Sequence, residues 1–266
     1  MSVLIITGAI DITNRDIPIT AVNDLNIRLE QYIHSIRYAI LNYKKIKKIV
    51  FVDNTDYKYD YSVLDLLSIH NNKEFEIIKF KGNYDKIEEF GKGYGEIECI
   101  IAAINQSKLL QNETCFYKLT GRVVIKNFDK MIDSRTCSNA FIYKPSHLFY
   151  DRDHINTVFY SADIDFFVNH LSILKNKIKD RENLFIEDVF FSSIMDLKSN
   201  FNIGTFTNFP VISGISGSSG KNYDLSKIKI ILYSYFAKTK LLDINNHSYP
   251  TLLLFIIKTI KCLNIK

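Results

Sequence analysis

What this chain has little of narrows its class before any motif is read. Four cysteines stand among 266 residues, at Cys99, Cys115, Cys137 and Cys262, with no CxxC spacing and no histidine pair beside them. That pattern suggests neither a zinc site nor a disulfide framework and reads as buried free thiols. No basic leader precedes the first apolar run, MSVLIITGAI, so a secretory signal is not expected and a cytoplasmic location is. Internal repeats and low-complexity linkers are absent as well, which leaves no obvious boundary inside the main body. We expect one unit over residues 1–225 and a C-terminal helical appendage over 226–266. Excess charge of one sign is small: +5 is too diffuse for a nucleic-acid footprint but compatible with phosphorylated ligands or an anionic membrane surface.

What is present is ordinary for a globular protein, with 47% hydrophobic and 24% charged residues, enough for a packed core. Val3 to Thr7 and Lys48 to Val52 are short β-branched runs that end in polar residues, the mark of buried strands with polar carboxyl ends. Between them, Ala21 to Tyr43 place Leu25, Leu29, Tyr32, Ile33, Ile36, Ala39 and Ile40 on one helical stripe. The alternation continues with a strand over Phe75 to Phe80, a helix over Gly95 to Leu110 and a strand over Cys115 to Leu119. Strands follow at Ala140 to Tyr143 and Thr157 to Tyr160, then helices over Asp163 to Lys177 and Glu187 to Leu197. Alternating elements predict an α/β fold with a mostly parallel, doubly wound sheet flanked by helices.

Open parallel sheets bind ligands outside the carboxyl ends of their strands. The candidates are therefore Thr7, Gly8, Asp53, Asn54, Thr120, Gly121 and Arg122. A Gly-rich stretch, GKGYGE from Gly91 to Glu96, lies just before a helix, where free N–H groups and the macrodipole favour phosphate and Lys92 adds a cation. It contains no GK[ST] and does not directly follow a strand, so it is neither a Walker motif nor a dinucleotide fingerprint. The alternative reading is a flexible loop with glycines at turn positions.

In chain order, ITGAI, FVDNT, GKGYGEIECIIAAINQS, FYKLTGR and IEDVFF resemble the GT-A class of nucleotide-sugar glycosyltransferases, over roughly Val3 to Tyr223. The nearest likeness is to small bacterial enzymes of capsule and lipopolysaccharide (O-antigen) assembly. The resemblance implies a GT-A-like, Rossmann-like fold and a nucleotide-sugar donor, with base and ribose held by Thr7, Gly8, Asp53 and Asn54. Asp53 would be a solvent-facing acceptor. Lys92, Gly93 and Glu96 on the Gly-rich stretch would join the donor site. GT-A enzymes normally carry Asp-x-Asp for a divalent metal at the next strand end, but KLTGR stands here instead. Lys118, Thr120 and Arg122 would then face the diphosphate, with Arg122 replacing the metal as electrophile. No cofactor is expected, and Mn²⁺ or Mg²⁺ is not favoured. The fallback metal pair is Asp163 and Asp165 in SADIDFF, whose commoner role is to cap a helix.

For the catalytic base the resemblance points to Glu187 and Asp188, with Asp188 preferred by a small margin. The loop GISGSSGKNY, Gly214 to Tyr223, could close over the diphosphate with Lys221. His170 lies on an apolar stripe and reads as a core residue; His147 and His154 fall in a polar loop. LLLFIIKTIKCLNIK, within Tyr249 to Lys266, is too short and charged to span a bilayer and suits either an anionic interface or packing on protein. The expected partners are a nucleotide-sugar donor and a glycan or lipid-linked oligosaccharide acceptor, without nucleic acid. The alternatives are a sugar nucleotidyltransferase and a non-catalytic glycan- or nucleotide-binding protein.

Overall fold

The computed structural model describes residues 3–13, 15–133, 138–146 and 152–245. Cys137, Cys262, His147 and the apolar segment from Tyr249 lie outside the described residues. Strand β1 (Val3–Gly8) is buried along its whole length, which is why its sequence shows no alternation: both faces are covered. Helix α1 (Leu25–Asn42) starts where the Asp24 carboxylate accepts from Ile27 N at 2.9 Å and buries Tyr32, Ile36, Ala39 and Ile40. It leads into β2 (Lys48–Asp53), α2 (Ser62–His70) and β3 (Glu74–Lys79). Then come α3 (Tyr84–Phe90), α4 (Lys92–Gln106), β4 (Cys115–Thr120), β5 (Val123–Ile125) and α5 (Phe128–Asp133). The chain continues through β6 (Asn139–Lys144), β7 (His154–Asp163), α6 (Ile164–Phe166), α7 (Ile186–Leu197), β8 (Ile203–Thr205), β9 (Ile212–Gly214) and α8 (Lys227–Lys238).

The main sheet runs β3-β2-β1-β4-β7-β6-β8, and β7 alone among its strands is antiparallel to its neighbours. Order reverses between β1 and β4: α1 carries the chain from β1 toward β2, whereas α4 carries it from β3 back across to β4. This is the switch point at which a crevice opens beyond the strand ends. Because β7 runs backwards, its first residues lie at that same edge. One face of the sheet packs Val3, Ile5, Val50 and Val52 against α4 and α7, and the other packs Leu4, Ile6, Ile49 and Phe51 against α1. The architecture is thus the mostly parallel, helix-flanked α/β sheet that the sequence predicts. Helix α8 packs Tyr233 on Phe209, ring centroids 4.6 Å apart.

Several elements depart from expectation for identifiable reasons. Helix α2 leaves a blurred amphipathic signal because apolar residues stand on both faces, Leu64 and Leu67 on the core and Val63, Leu66 and Ile69 toward solvent. The Gly-rich stretch is no loop, since α4 begins at Lys92. Its glycines serve close packing: a Cβ on Gly93 would stand 2.8 Å from Ile186 Cβ, and one on Gly95 would stand 2.8 Å from Asn54 Nδ2. The expected helix from Asp163 to Lys177 is a single turn at Ile164–Phe166, followed by a π turn at Phe167–Leu171 and a 3-10 segment at Ser172–Lys177. His170 packs between Phe166 and Phe201 within it. His154 is not in a loop but opens β7.

Gly91 caps α4 with φ +107°, and a Cβ there would overlap the Asp180 carboxyl group. Gly91→Ala combines backbone strain with a steric clash and is expected to cost about 2–4 kcal/mol. Urea denaturation would show this as a lower midpoint at unchanged slope.

Candidate functional site

A cavity of about 400 Å³ opens at the switch point. Its floor is the strand edge at Thr7, Gly8 and Thr120, and its walls are the amino ends of α4 and α7, the start of β7 and two loops. Ten of the residues singled out from sequence line it: Thr7, Gly8, Asn54, Lys92, Gly93, Glu96, Thr120, Arg122, Glu187 and Asp188. Asp53, Lys118 and Lys221 do not.

Asp53 is the clearest correction. It is fully buried and turned away from the cavity, and its carboxylate accepts from Ile10 N at 2.9 Å, Tyr57 N at 2.9 Å and Thr55 Oγ1 at 2.8 Å. Burial pushes its carboxyl group upward and the backbone donors pull it back. The residue therefore pins the loops after β1 and β2, and the expected solvent-facing acceptor is absent. Arg28 complements it, donating to Ala9 O at 3.0 Å, Ile10 O at 3.1 Å and Val22 O at 2.9 Å. Lys221 is exposed outside the cavity, although Gly217, Ser218 and Tyr223 of the same loop line it.

Lys118 also differs from expectation. It is fully buried in the middle of β4, where its ammonium meets Glu96 Oε2 at 2.7 Å, Thr120 Oγ1 at 2.8 Å and Thr157 O at 2.6 Å. Burial drives the Lys118 amine down and the Glu96 carboxyl up, and each is held back by the charge of the other. A lysine so enclosed has no proton left for phosphate. Thr157 passes the constraint on, because its hydroxyl donates to Glu187 Oε1 at 3.0 Å.

The two base candidates separate in their surroundings. Asp188 is bound to Arg152 at 2.8 Å and accepts from Phe185 N at 3.1 Å, capping its own helix. Glu187 stands in the wall with Thr157 as its donor. Lys92, at the amino end of α4, reaches Ile19 O at 3.0 Å and the Ser218 hydroxyl, while its backbone N–H donates to Asp180 Oδ2 at 3.1 Å. Burial lowers the Lys92 amine and lifts the Asp180 carboxyl to about 6. Arg122 lines the cavity and donates to Gln31 Oε1 at 3.3 Å.

The fallback metal pair lies at the wrong edge of the sheet. Asp163 pairs with Cys115, the first residue of β4, and accepts from Ser138 Oγ at 2.6 Å and Asn139 Nδ2 at 3.0 Å. At the strand end itself Glu96 is engaged by Lys118 and Asp188 by Arg152, and Arg122 adds a positive charge, so few carboxylate oxygens there are open to a divalent ion. Among the described residues no three His, Cys, Asp or Glu side chains gather as metal ligands would.

Sequence reasoning missed Arg28, Tyr32, Lys144, Arg152, Asn156, Thr157 and Asp180, all of which line the cavity. Arg28 was discoverable as a charge on the otherwise apolar stripe of α1. The others carry no signal without the fold.

No described protein family matches the sequence, and no curated protein does. The solved structures similar to it include nucleotide-sugar pyrophosphorylases and glycosyltransferases. One is the nucleoside-diphosphate-sugar pyrophosphorylase of Vibrio cholerae RC9, at 10% identity, 77% of this chain, 91% of that one and a TM-score of 0.47. Another is core-mannan synthase A of Aspergillus fumigatus in its Mn/GDP form, at 11% identity, 89% and 84% coverage and 0.45. A third is a glycosyltransferase involved in glycosylation of the major capsid of PBCV-1, at 13% identity, 73% and 77% coverage and 0.42. Likeness of this size leaves the activity to be argued from the site itself.

Replacing Asp53 by Ala strands two buried donors and one half-buried donor, so the loss is expected in stability, about 3 kcal/mol, before it is seen in any ligand affinity. Chemical denaturation of the variant checks this; a native midpoint would show that the loops hold without the carboxylate.

Proposed function

We propose that the chain is a glycosyltransferase that moves a sugar from a nucleotide-activated donor to a surface-glycan or lipid-linked acceptor. The observation that carries this reading is the cavity at the switch point, where two helix amino ends and Arg122 meet an available carboxylate, Glu187. The Arg122 guanidinium and the Lys92 ammonium suit the growing negative charge of a diphosphate leaving group. Glu187 would take the proton of the acceptor hydroxyl while its oxygen bonds the anomeric carbon and the bond to the diphosphate breaks. Asp188, spent on Arg152 and the helix cap, would instead hold the amino end of α7 in place.

One feature weighs against the rival nucleotidyltransferase. Such an enzyme would cradle phosphates on free backbone N–H groups just behind the first strand. Here those donors are consumed: Ala9 N by the Tyr32 hydroxyl at 3.0 Å, Ile10 N by Asp53 and Asp11 N by Thr55 Oγ1 at 3.1 Å.

Transfer should persist in excess EDTA. Arg122→Ala is expected to lower turnover by about 100- to 1,000-fold, the scale of one electrostatic stabiliser. Glu187→Gln should lower it by about 100-fold or more, and Asp188→Asn by much less. Loss of transfer in EDTA with recovery on Mn²⁺ or Mg²⁺ would return the diphosphate to a metal. Release of pyrophosphate from a nucleoside triphosphate and a sugar phosphate would favour the rival enzyme.

A lipid-linked acceptor would place the protein at an anionic membrane surface, and α8 offers a face for it. Ile228, Ile231 and Tyr235 project from α8, each more than half exposed, with exposed Lys227 and Lys238 beside them. No helix among the described residues is long and apolar enough to cross a membrane, so docking would be in the plane of the interface. Ile231→Glu should reduce co-sedimentation with phosphatidylglycerol vesicles while leaving transfer to a soluble acceptor intact. Unchanged sedimentation would remove α8 from any membrane contact.

A further inference from the structure

Strand β7 loses its register where it borders the cavity. Ala140 of β6 pairs with Ser161 and Ile142 with Asn156, so Thr157, Val158, Phe159 and Tyr160 stand opposite Phe141 alone. On the other side β7 pairs with β4 only from Asp163 to Phe159. Thr157 therefore has a ladder partner on neither side. Two side chains hold this stretch instead. The Lys118 ammonium donates to Thr157 O at 2.6 Å, and Asn156 Oδ1 accepts from Val158 N at 2.8 Å, closing a turn around Thr157. Extra residues in a strand bend it and re-aim its side chains, and such irregularities collect beside active sites.

The group re-aimed here is the Thr157 hydroxyl. It belongs to a buried residue and donates to Glu187 Oε1 at 3.0 Å. A β-branched side chain has few χ1 choices, so a fixed backbone fixes the hydroxyl as well. Glu187 itself is half-buried and lines the cavity, and its second oxygen, Oε2, accepts no hydrogen bond from any described residue. A carboxylate held at one oxygen cannot turn freely about its last bond. The irregular stretch of β7 thus sets the direction in which Glu187 presents Oε2.

We propose that Thr157 is a positioning residue of the transfer reaction: by holding Oε1 it keeps Glu187 turned with Oε2 toward the acceptor hydroxyl, the alignment a general base needs. The inference rests on the glycosyltransferase reading, in which Glu187 is that base. Oε2 takes the hydroxyl proton as the acceptor oxygen bonds the anomeric carbon, and the diphosphate leaves with the electron pair of the broken bond. Thr157 keeps its own proton throughout and touches neither substrate.

The test separates turnover from binding. Release of free nucleotide would be followed from UDP-glucose, UDP-N-acetylglucosamine, GDP-mannose, CMP-N-acetylneuraminate and dTDP-glucose, with water as the acceptor where no glycan is supplied. Thr157→Val keeps the branched shape and removes the donor, whereas Thr157→Ser keeps the donor and removes the methyl group. On the donor that the wild type uses, Thr157→Val should lower kcat about 10- to 100-fold at unchanged donor KM, and Thr157→Ser should stay close to the wild type. Added to Glu187→Gln, Thr157→Val should cause no further loss, because no base remains to be aligned. Thr157→Ala carries the same comparisons if the valine variant fails to fold. Unchanged kcat in Thr157→Val, an equal loss in Thr157→Ser, or an undiminished loss in the Glu187→Gln background would each overturn the positioning role alone. A wild-type protein that releases nucleotide from no donor in the panel would overturn the glycosyltransferase reading and the positioning role with it.

Discussion

The arrangement of the site depends on one ammonium group. Lys118 stands fully buried in the centre of the sheet, and its three protons go to a helix, to its own strand and to the neighbouring antiparallel strand. A buried ion pair is weak evidence for stability, because desolvation offsets much of the attraction. Its effect here is geometric. Removing either partner would leave a charge stranded in the core, so α4, β4 and β7 are held at one mutual setting. From that setting follow the placement of the amino end of α4 and, through Thr157, the orientation of Glu187.

A second constraint acts on the opposite side of the cavity. Asp53 and Arg28 are a buried acid and a buried base that do not need each other, since each is engaged mainly with backbone. The acid gathers N–H groups and the base gathers carbonyls of the loop after β1, so that loop has its polar groups satisfied from within. The same satisfaction removes the loop as a phosphate cradle, so on the proposed reading an anion would be met by side chains such as Arg122 and Lys92.

Much of the fold was legible because it follows from periodicity. The runs at Val3–Gly8 and Lys48–Asp53 are β-branched and end in polar residues, Cys115–Thr120 is an aromatic-rich run of the same length, and α1 shows its stripe. Helix α2 was illegible because its apolar residues are divided, Leu64 and Leu67 packing on the core while Val63, Leu66 and Ile69 face outward, a division no local pattern reveals. Within the site, polarity at strand ends located the region but not the direction of each side chain. Asp53 and Asn54 are adjacent, yet the first turns inward and the second toward the cavity. Lys118 and Arg122 read as an equivalent pair of cations until Glu96, 22 residues before Lys118, is seen to claim one of them. Asp180 gave no signal, because its role depends on Gly91 in a part of the chain about ninety residues away.

Lys118 and Lys92 carry the same group with different residual valence. An ammonium has three N–H bonds. Lys118 has committed all of them, so it is chemically closed. Lys92 donates to Ile19 O and the Ser218 hydroxyl, which draws together two loops far apart in sequence and leaves one N–H uncommitted. An incoming phosphate could take that remaining bond without breaking the other two. On the proposed reading, drawing the two loops together and meeting an anion would therefore not be competing uses of this lysine.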